Sequence, residues 1–294
     1  MTSELAPPTA ERLALPMATG LALILLWWAP DALPMNLQLL LLAVLVVVFG
    51  LPHGALDPWL AERAGLAGDA RKVVAFNLAY LAVAALVVLV WVWLPVLSLA
   101  VFLAISAVHF SGDWKSDLDP FPRLVAGLLL LLMPIGFQTN QVAVLFEHLS
   151  GEGGAALAQA LALPAWVLVA IMMTLTGVAL RRQRWWAGLE FASLLALAYV
   201  AQPLVYFALY FCALHSLRHL AGLFRQARPA DQARLWRMTI VYSVATVFLA
   251  GVLWVLWSQM PADTLILRLV FIGLAAVTVP HMLLMARVKA MGLQ

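Results

Sequence analysis

The sequence predicts an all-α fold, a polytopic transmembrane helix bundle of about eight to ten spans with both termini cytoplasmic. Three observations predict it. Hydrophobic residues make up 65% of the 294 and charged residues only 11%, against roughly 45–50% and about 25% in an average soluble domain. The mean hydropathy of +0.99 is that of a chain whose apolar surface is too large to hide in a soluble globule. Apolar runs also recur along the whole length, and the connections between them alternate between ones rich in Lys and Arg and ones almost without them.

A bilayer core about 30 Å thick takes about 20 helical residues at ~1.5 Å each, and ten segments meet or approach that length. The first, 13–29, begins within the N-terminal MTSELAPPTAERLALPMATG, which lacks a basic region before a short apolar core and cleavage site; it reads as an anchor, not a removable signal. Ala29-Pro30-Asp31 ends it, and the second span runs over 35–51. The third, 73–94, opens after Arg71-Lys72 and stops at Pro95; the fourth follows directly over 96–114. The fifth, 122–138, leads into LFEHLSGEGGAALAQALAL within 139–163, expected to be an interfacial helix or re-entrant turn on the non-cytoplasmic side. The sixth, 164–180, closes on Arg181-Arg182, and the seventh covers 186–201. Pro203 opens the eighth, 203–224; the ninth, 238–258, ends near Met260-Pro261; the tenth covers 263–287. The first, fifth and seventh are short. Residues 1–294 form one transmembrane domain, with no internal repeat and no soluble module.

The basic residues orient the bundle, because cytoplasmic loops retain Lys and Arg. Arg12 precedes span 1; Arg63, Arg71 and Lys72 follow span 2; Lys115 and Arg123 follow span 4; Arg181, Arg182 and Arg184 follow span 6. Arg218, Arg225, Arg228, Arg234 and Arg237 lie around the end of span 8, while Arg287 and Lys289 close span 10. Only Arg268 falls near the other face. The net charge of +3 therefore reflects topology and points to no nucleic-acid partner. Cys212 is the single cysteine, so an intramolecular disulfide and a thiolate metal site are both excluded.

Ionisable groups at membrane depth are costly and usually functional. Five of the six histidines fall at the cytoplasmic ends of spans: His53, His109, His215, His219 and His281. His53-Gly54-Ala55-Leu56-Asp57 and His109-Phe110-Ser111-Gly112-Asp113 both read H-x-x-x-D, and His215-Ser216-Leu217-Arg218-His219 reads H-x-x-x-H. Residues four apart share a helix face, so His215 and His219 are placed to bite one ion. Asp57 and Asp113 then either orient imidazoles, ligate directly or cap helix ends. Neutral imidazoles suit zinc, copper, iron or nickel. His281 fits a supporting role beside the ion, and Tyr206 and Tyr210 approach His215 turn by turn and so line the site. His148, beside Glu147 in the outer loop, reads as a solvated residue, and Glu190 as a partner of Arg181, Arg182 or Arg184. Alternatives are a di-iron lipid hydroxylase or desaturase, which uses more histidines, and a bis-histidine haem or metal-handling protein, which a shared-face pair does not favour.

The stretches FGLPHGALD at 49–57, HFSGDW at 109–114, HSLRH at 215–219 and TVPHMLL at 278–284 resemble the Brp/Blh family of bacterial and archaeal β-carotene 15,15'-dioxygenases. The resemblance covers nearly the whole chain and departs at Pro58. It implies cleavage of the central double bond of β-carotene by O2 to give two retinal molecules, with Fe(II) as cofactor. It also implies a multi-pass protein of the cell (inner) membrane that meets its substrate in the lipid bilayer. The family's proposed iron ligands correspond to His53, His109, His215 and His219.

Overall fold

The computed structural model describes residues 10–28 and 33–292. Among them no strand occurs, and the chain runs as ten helices. We number these α1 (Ala10–Trp28), α2 (Met35–Arg63), α3 (Ala70–Trp93), α4 (Pro95–Trp114), α5 (Pro120–Ser150), α6 (Glu152–Arg181), α7 (Trp185–Val200), α8 (Pro203–Gln226), α9 (Pro229–Leu256) and α10 (Ala262–Ala290). All but α7 are long and apolar enough to cross a membrane. The chain is a multi-pass membrane protein.

Local chemistry sets many of the ends. Proline cannot supply an amide hydrogen, and the first turn of a helix needs none, which suits Pro95, Pro120 and Pro203 to their starts. Asp69 caps α3 by accepting from the Lys72 amide at 2.9 Å. Inside α5, Pro134 leaves the Leu130 carbonyl without its i+4 donor. The Tyr206 hydroxyl fills that vacancy, donating at 2.8 Å. Four residues on, Gln138 leaves helical geometry (φ −138°, ψ 46°). Its side-chain amide donates to the carbonyls of Ala198 and Ala201, at 3.1 and 2.6 Å, at the end of α7.

The segment 139–163, expected as an interfacial helix or re-entrant turn, instead continues the two flanking helices. α5 runs on to Ser150 and α6 begins at Glu152, with a single turn at Gly151, whose φ of 73° favours glycine. Long apolar helices that satisfy their own backbone are cheaper at membrane depth than an irregular loop.

Burial separates axis from rim. Within an apolar 18-residue stretch of each helix, 56% of residues are buried in α8, against none in α3 and 6% in α9. α8 is thus the axial helix, and α3 and α9 turn most of their side chains outward to lipid. At one end of the bundle, ion pairs tie the predicted cytoplasmic loops together: Arg12 to Asp117 at 2.9 Å, Arg234 to Glu62 at 2.6 Å, and Arg225 to Glu11. At the opposite end His148 bonds Thr264 at 2.9 Å, and Arg268 donates to the His148 carbonyl at 2.9 Å. His148, read as solvated, is therefore a tie between the α5–α6 turn and α10.

Candidate metal centre

Four helices deliver five imidazoles to one place. His53 lies on α2 and His215 on α8, and each accompanies a π-helical turn, Val46–Gly50 and Phe211–Ser216. A π turn inserts one extra residue and rotates everything after it about the helix axis, which is why such turns gather at functional sites. The two turns pack on each other at Gly50: a Cβ there would fall 2.8 Å from the Phe211 ring. His219 follows on the next turn of α8, His109 sits in the last α-helical turn of α4, and His281 follows Pro280 in α10.

The rings crowd edge to face. Centroid separations are 5.3 Å for His53 and His215, 5.6 Å for His53 and His219, 4.7 Å for His109 and His215, and 5.2 Å for His109 and His281. Candidate donor atoms of His53, His109 and His281 all lie within 4.8 Å of one another. Two nitrogens at ~2.0–2.1 Å from a common ion stand at most about 4.2 Å apart, so the three rings must draw inward to close on one ion.

The outward nitrogens are held. His53 Nδ1 lies 2.6 Å from the Gly50 carbonyl, His215 Nδ1 3.0 Å from Asp113 Oδ1, and His281 Nδ1 2.8 Å from Asp57 Oδ1. A carbonyl or carboxylate there puts the proton on Nδ1 and leaves the Nε2 lone pair free. The Nε2 atoms of His215, His219 and His281 are buried without a hydrogen-bond partner. Orphaned polar atoms at this depth cost about 1–3 kcal/mol each. A metal ion removes that cost, so the residues present fit one.

Each carboxylate is itself fixed. Tyr210 donates to Asp113 Oδ2 at 2.6 Å, and the Tyr80 hydroxyl lies 2.9 Å from Asp57 Oδ2 and 3.0 Å from the Val277 carbonyl. Neither aspartate serves the histidine four residues before it: Asp57 serves His281 and Asp113 serves His215. Nor does either side chain cap a helix end. Arg218 donates to the Asp113 carbonyl and to Glu190, both at 2.6 Å, and the Trp114 indole donates to Glu190 at 2.9 Å. Glu190 thus pairs with Arg218, not with Arg181, Arg182 or Arg184; it points into the bundle, while those arginines are exposed.

Of Tyr206 and Tyr210, only Tyr210 bonds to the histidine–carboxylate network, through Asp113, while Tyr206 bonds the Leu130 carbonyl; both line the apolar cavity beside the histidines. Tyr80 and Arg218 received no site role from the sequence, although a tyrosine in the apolar third span and an arginine inside H-x-x-x-H are the signals that mark them.

Beside the histidines lies an apolar cavity of about 90 Å³. Leu99, Phe102, Phe110, Tyr206, Phe207 and Tyr210 are among its walls. Phe110 links it to the centre, its ring centroid 4.7 Å from that of His215.

A family model described as Beta-carotene 15,15'-dioxygenase matches residues 44–289, which takes in every histidine of the centre. The chain belongs to that family. It is 34% identical to a protein named Beta-carotene 15,15'-dioxygenase from an uncultured marine bacterium, over 82% of this chain and 90% of the relative. It is 28% identical to one named Probable beta-carotene 15,15'-dioxygenase Blh from Halobacterium salinarum, over 91% of this chain and 86% of the relative. No solved structure matches.

Proposed function

We propose that this membrane protein cleaves the 15,15' double bond of β-carotene with O2, using Fe(II) bound by His53, His109, His215 and His219. One C=C bond breaks and two C=O bonds form, so each retinal takes one oxygen atom and no further reductant is needed. The observation that carries the reading is a ring of imidazoles beside an apolar cavity, with the outward nitrogens of His53, His215 and His281 locked by acceptors. The names of the family and of the two relatives supply the substrate.

The chemistry that Fe(II) supplies when bound is one-electron activation of O2 beside an alkene. The protein's own contributions follow from geometry. Asp113 and the Gly50 carbonyl keep His215 and His53 in the ligating tautomer. Phe110, packed against His215, and Phe211, stacked on it at an interplanar angle of 19°, keep water from the rings. The cavity is smaller than the ~150 Å³ that holds a benzene, so seating a polyene beside the centre requires its walls on α4, α5 and α8 to part. An apolar substrate dissolved in the bilayer reaches such a site sideways, between helices. We place the chain in the cell membrane as one transmembrane domain with the histidine end cytoplasmic, in keeping with its basic loops.

Expression in a carotene-producing host tests the reading. Loss of orange colour with retinal appearing supports it, and unchanged carotene overturns it. Retained retinal formation by His215→Ala would remove the ligand assignment.

A further inference from the structure

We propose that His281 is itself a metal ligand, a fifth imidazole on the same ion, held in its ligating tautomer by Asp57 and Tyr80. This rests on the metal centre described under Proposed function and extends its ligand set.

A histidine that merely supported the site would reach a ligand through a hydrogen bond. His281 reaches none: its Nδ1 goes to Asp57 at 2.8 Å, and its Nε2 is buried with no partner. The orphan atom sits among the other donors. The His281 ring centroid lies 5.6, 5.2 and 5.5 Å from those of His53, His109 and His219. In the group whose donor atoms fall within 4.8 Å of one another, it stands with His53 and His109.

The structure also builds the same support twice. Tyr210, Asp113 and His215 form one relay, with contacts of 2.6 and 3.0 Å. Tyr80, Asp57 and His281 form another, with contacts of 2.9 and 2.8 Å, assembled from α3, α2 and α10. A carboxylate that fixes a tautomer is what a ligating imidazole needs and what a packing imidazole does not. Charge points the same way. Asp57 is 2% exposed, and among the described residues no lysine or arginine pairs with it. A buried carboxylate calls for a nearby cation, and an ion on His281 lies one ring away. With five imidazoles bound, the ion offers one position fewer to small molecules than with four.

The test uses the full-length protein purified in detergent, with cobalt(II) as the probe. In the unaltered chain, each ligating imidazole that keeps its Nδ1 proton gives one hyperfine-shifted, exchangeable proton resonance. Resonances from His281 together with the other ligands support the inference; a full set from the other ligands with none from His281 overturns it without any substitution. His281→Gln is expected to weaken cobalt affinity by at least ~10-fold and to intensify the visible ligand-field bands as coordination number falls. Asp57→Asn, which leaves the ring in place, is expected to weaken affinity by about 10–100-fold with the same band pattern. Wild-type affinity and an unaltered spectrum in His281→Gln overturn the inference, while loss of cobalt from His215→Ala in the same series leaves the metal centre standing. A wild-type chain that binds no stoichiometric cobalt overturns both.

Discussion

At the residue scale, the centre depends on where protons sit. Asp113 accepts from His215 Nδ1, from Tyr210 and so commits the Nε2 lone pair to the inside of the ring. Asp113→Asn is therefore expected to lower metal affinity about 10–100-fold while leaving the helices intact, checked by metal content and circular dichroism of the purified variant. The two tyrosines of α8 separate cleanly under the same measurement. Tyr210→Phe removes a donor from Asp113 and should weaken metal binding. Tyr206→Phe removes the hydrogen bond to the Leu130 carbonyl, which Pro134 leaves without its i+4 donor, so it should cost stability, of order 1 kcal/mol, with metal affinity unchanged. A fall in metal affinity for Tyr206→Phe equal to that for Tyr210→Phe would contradict this division. The residue types at these positions were readable from the sequence, but the partners were not. The H-x-x-x-D spacing suggests that each aspartate serves its own neighbour, yet Asp57 finds His281, 224 positions away. Side chains four apart share a face of a continuous helix, and in both motifs the α-helix is interrupted in between, by a turn before Asp57 and by 3-10 geometry from Ser111 to Trp114.

At the element scale, two irregular turns aim the histidines. The π turns Val46–Gly50 and Phe211–Ser216 shift the register of α2 and α8 just before or at the histidines they carry. Deleting Val47 should restore regular α-helix, rotate His53 by about 100° from the ring (one residue at 3.6 per turn), and abolish stoichiometric metal binding; a deletion variant that still binds one ion would show that the turn is not what aims it. Helix spacing is just as tight. α5 passes α4 so closely at Gly127 that a Cβ there would stand 2.2 Å from the Ala107 carbonyl and 2.9 Å from the Ser111 amide. Gly127→Ala should therefore push α4 outward where it carries His109, lowering both thermal stability and metal content. The ten apolar segments were legible because lipid leaves a chain one economical solution, a helix about as long as the membrane is thick. The π turns were not legible, since an extra residue in a turn leaves no mark on hydropathy.

At the scale of the whole molecule, the bundle is laid out around α8, which carries two of the five histidines and has the most deeply buried span. Its basic loops are joined at one end by ion pairs of α1 with the α4–α5 connection, of α2 with α9 and of α1 with α8. A reporter inserted at Gly151 is expected to be non-cytoplasmic and one fused after Lys115 cytoplasmic; the reverse pattern would overturn the orientation. The sequence by itself determined the solvent, the helical class, the approximate spans and the common depth of five histidines, because each follows from short-range composition read against the thickness of a bilayer. Only the tertiary structure decided that 139–163 joins two long helices, that Glu190 answers Arg218, that Tyr80 completes a second aspartate–histidine relay, and that His281 stands within the ring. Those facts are contacts between helices distant in the chain, and they depend on helix rotation and on separations of a few ångströms, which a pattern of residue types along one strand of sequence does not encode.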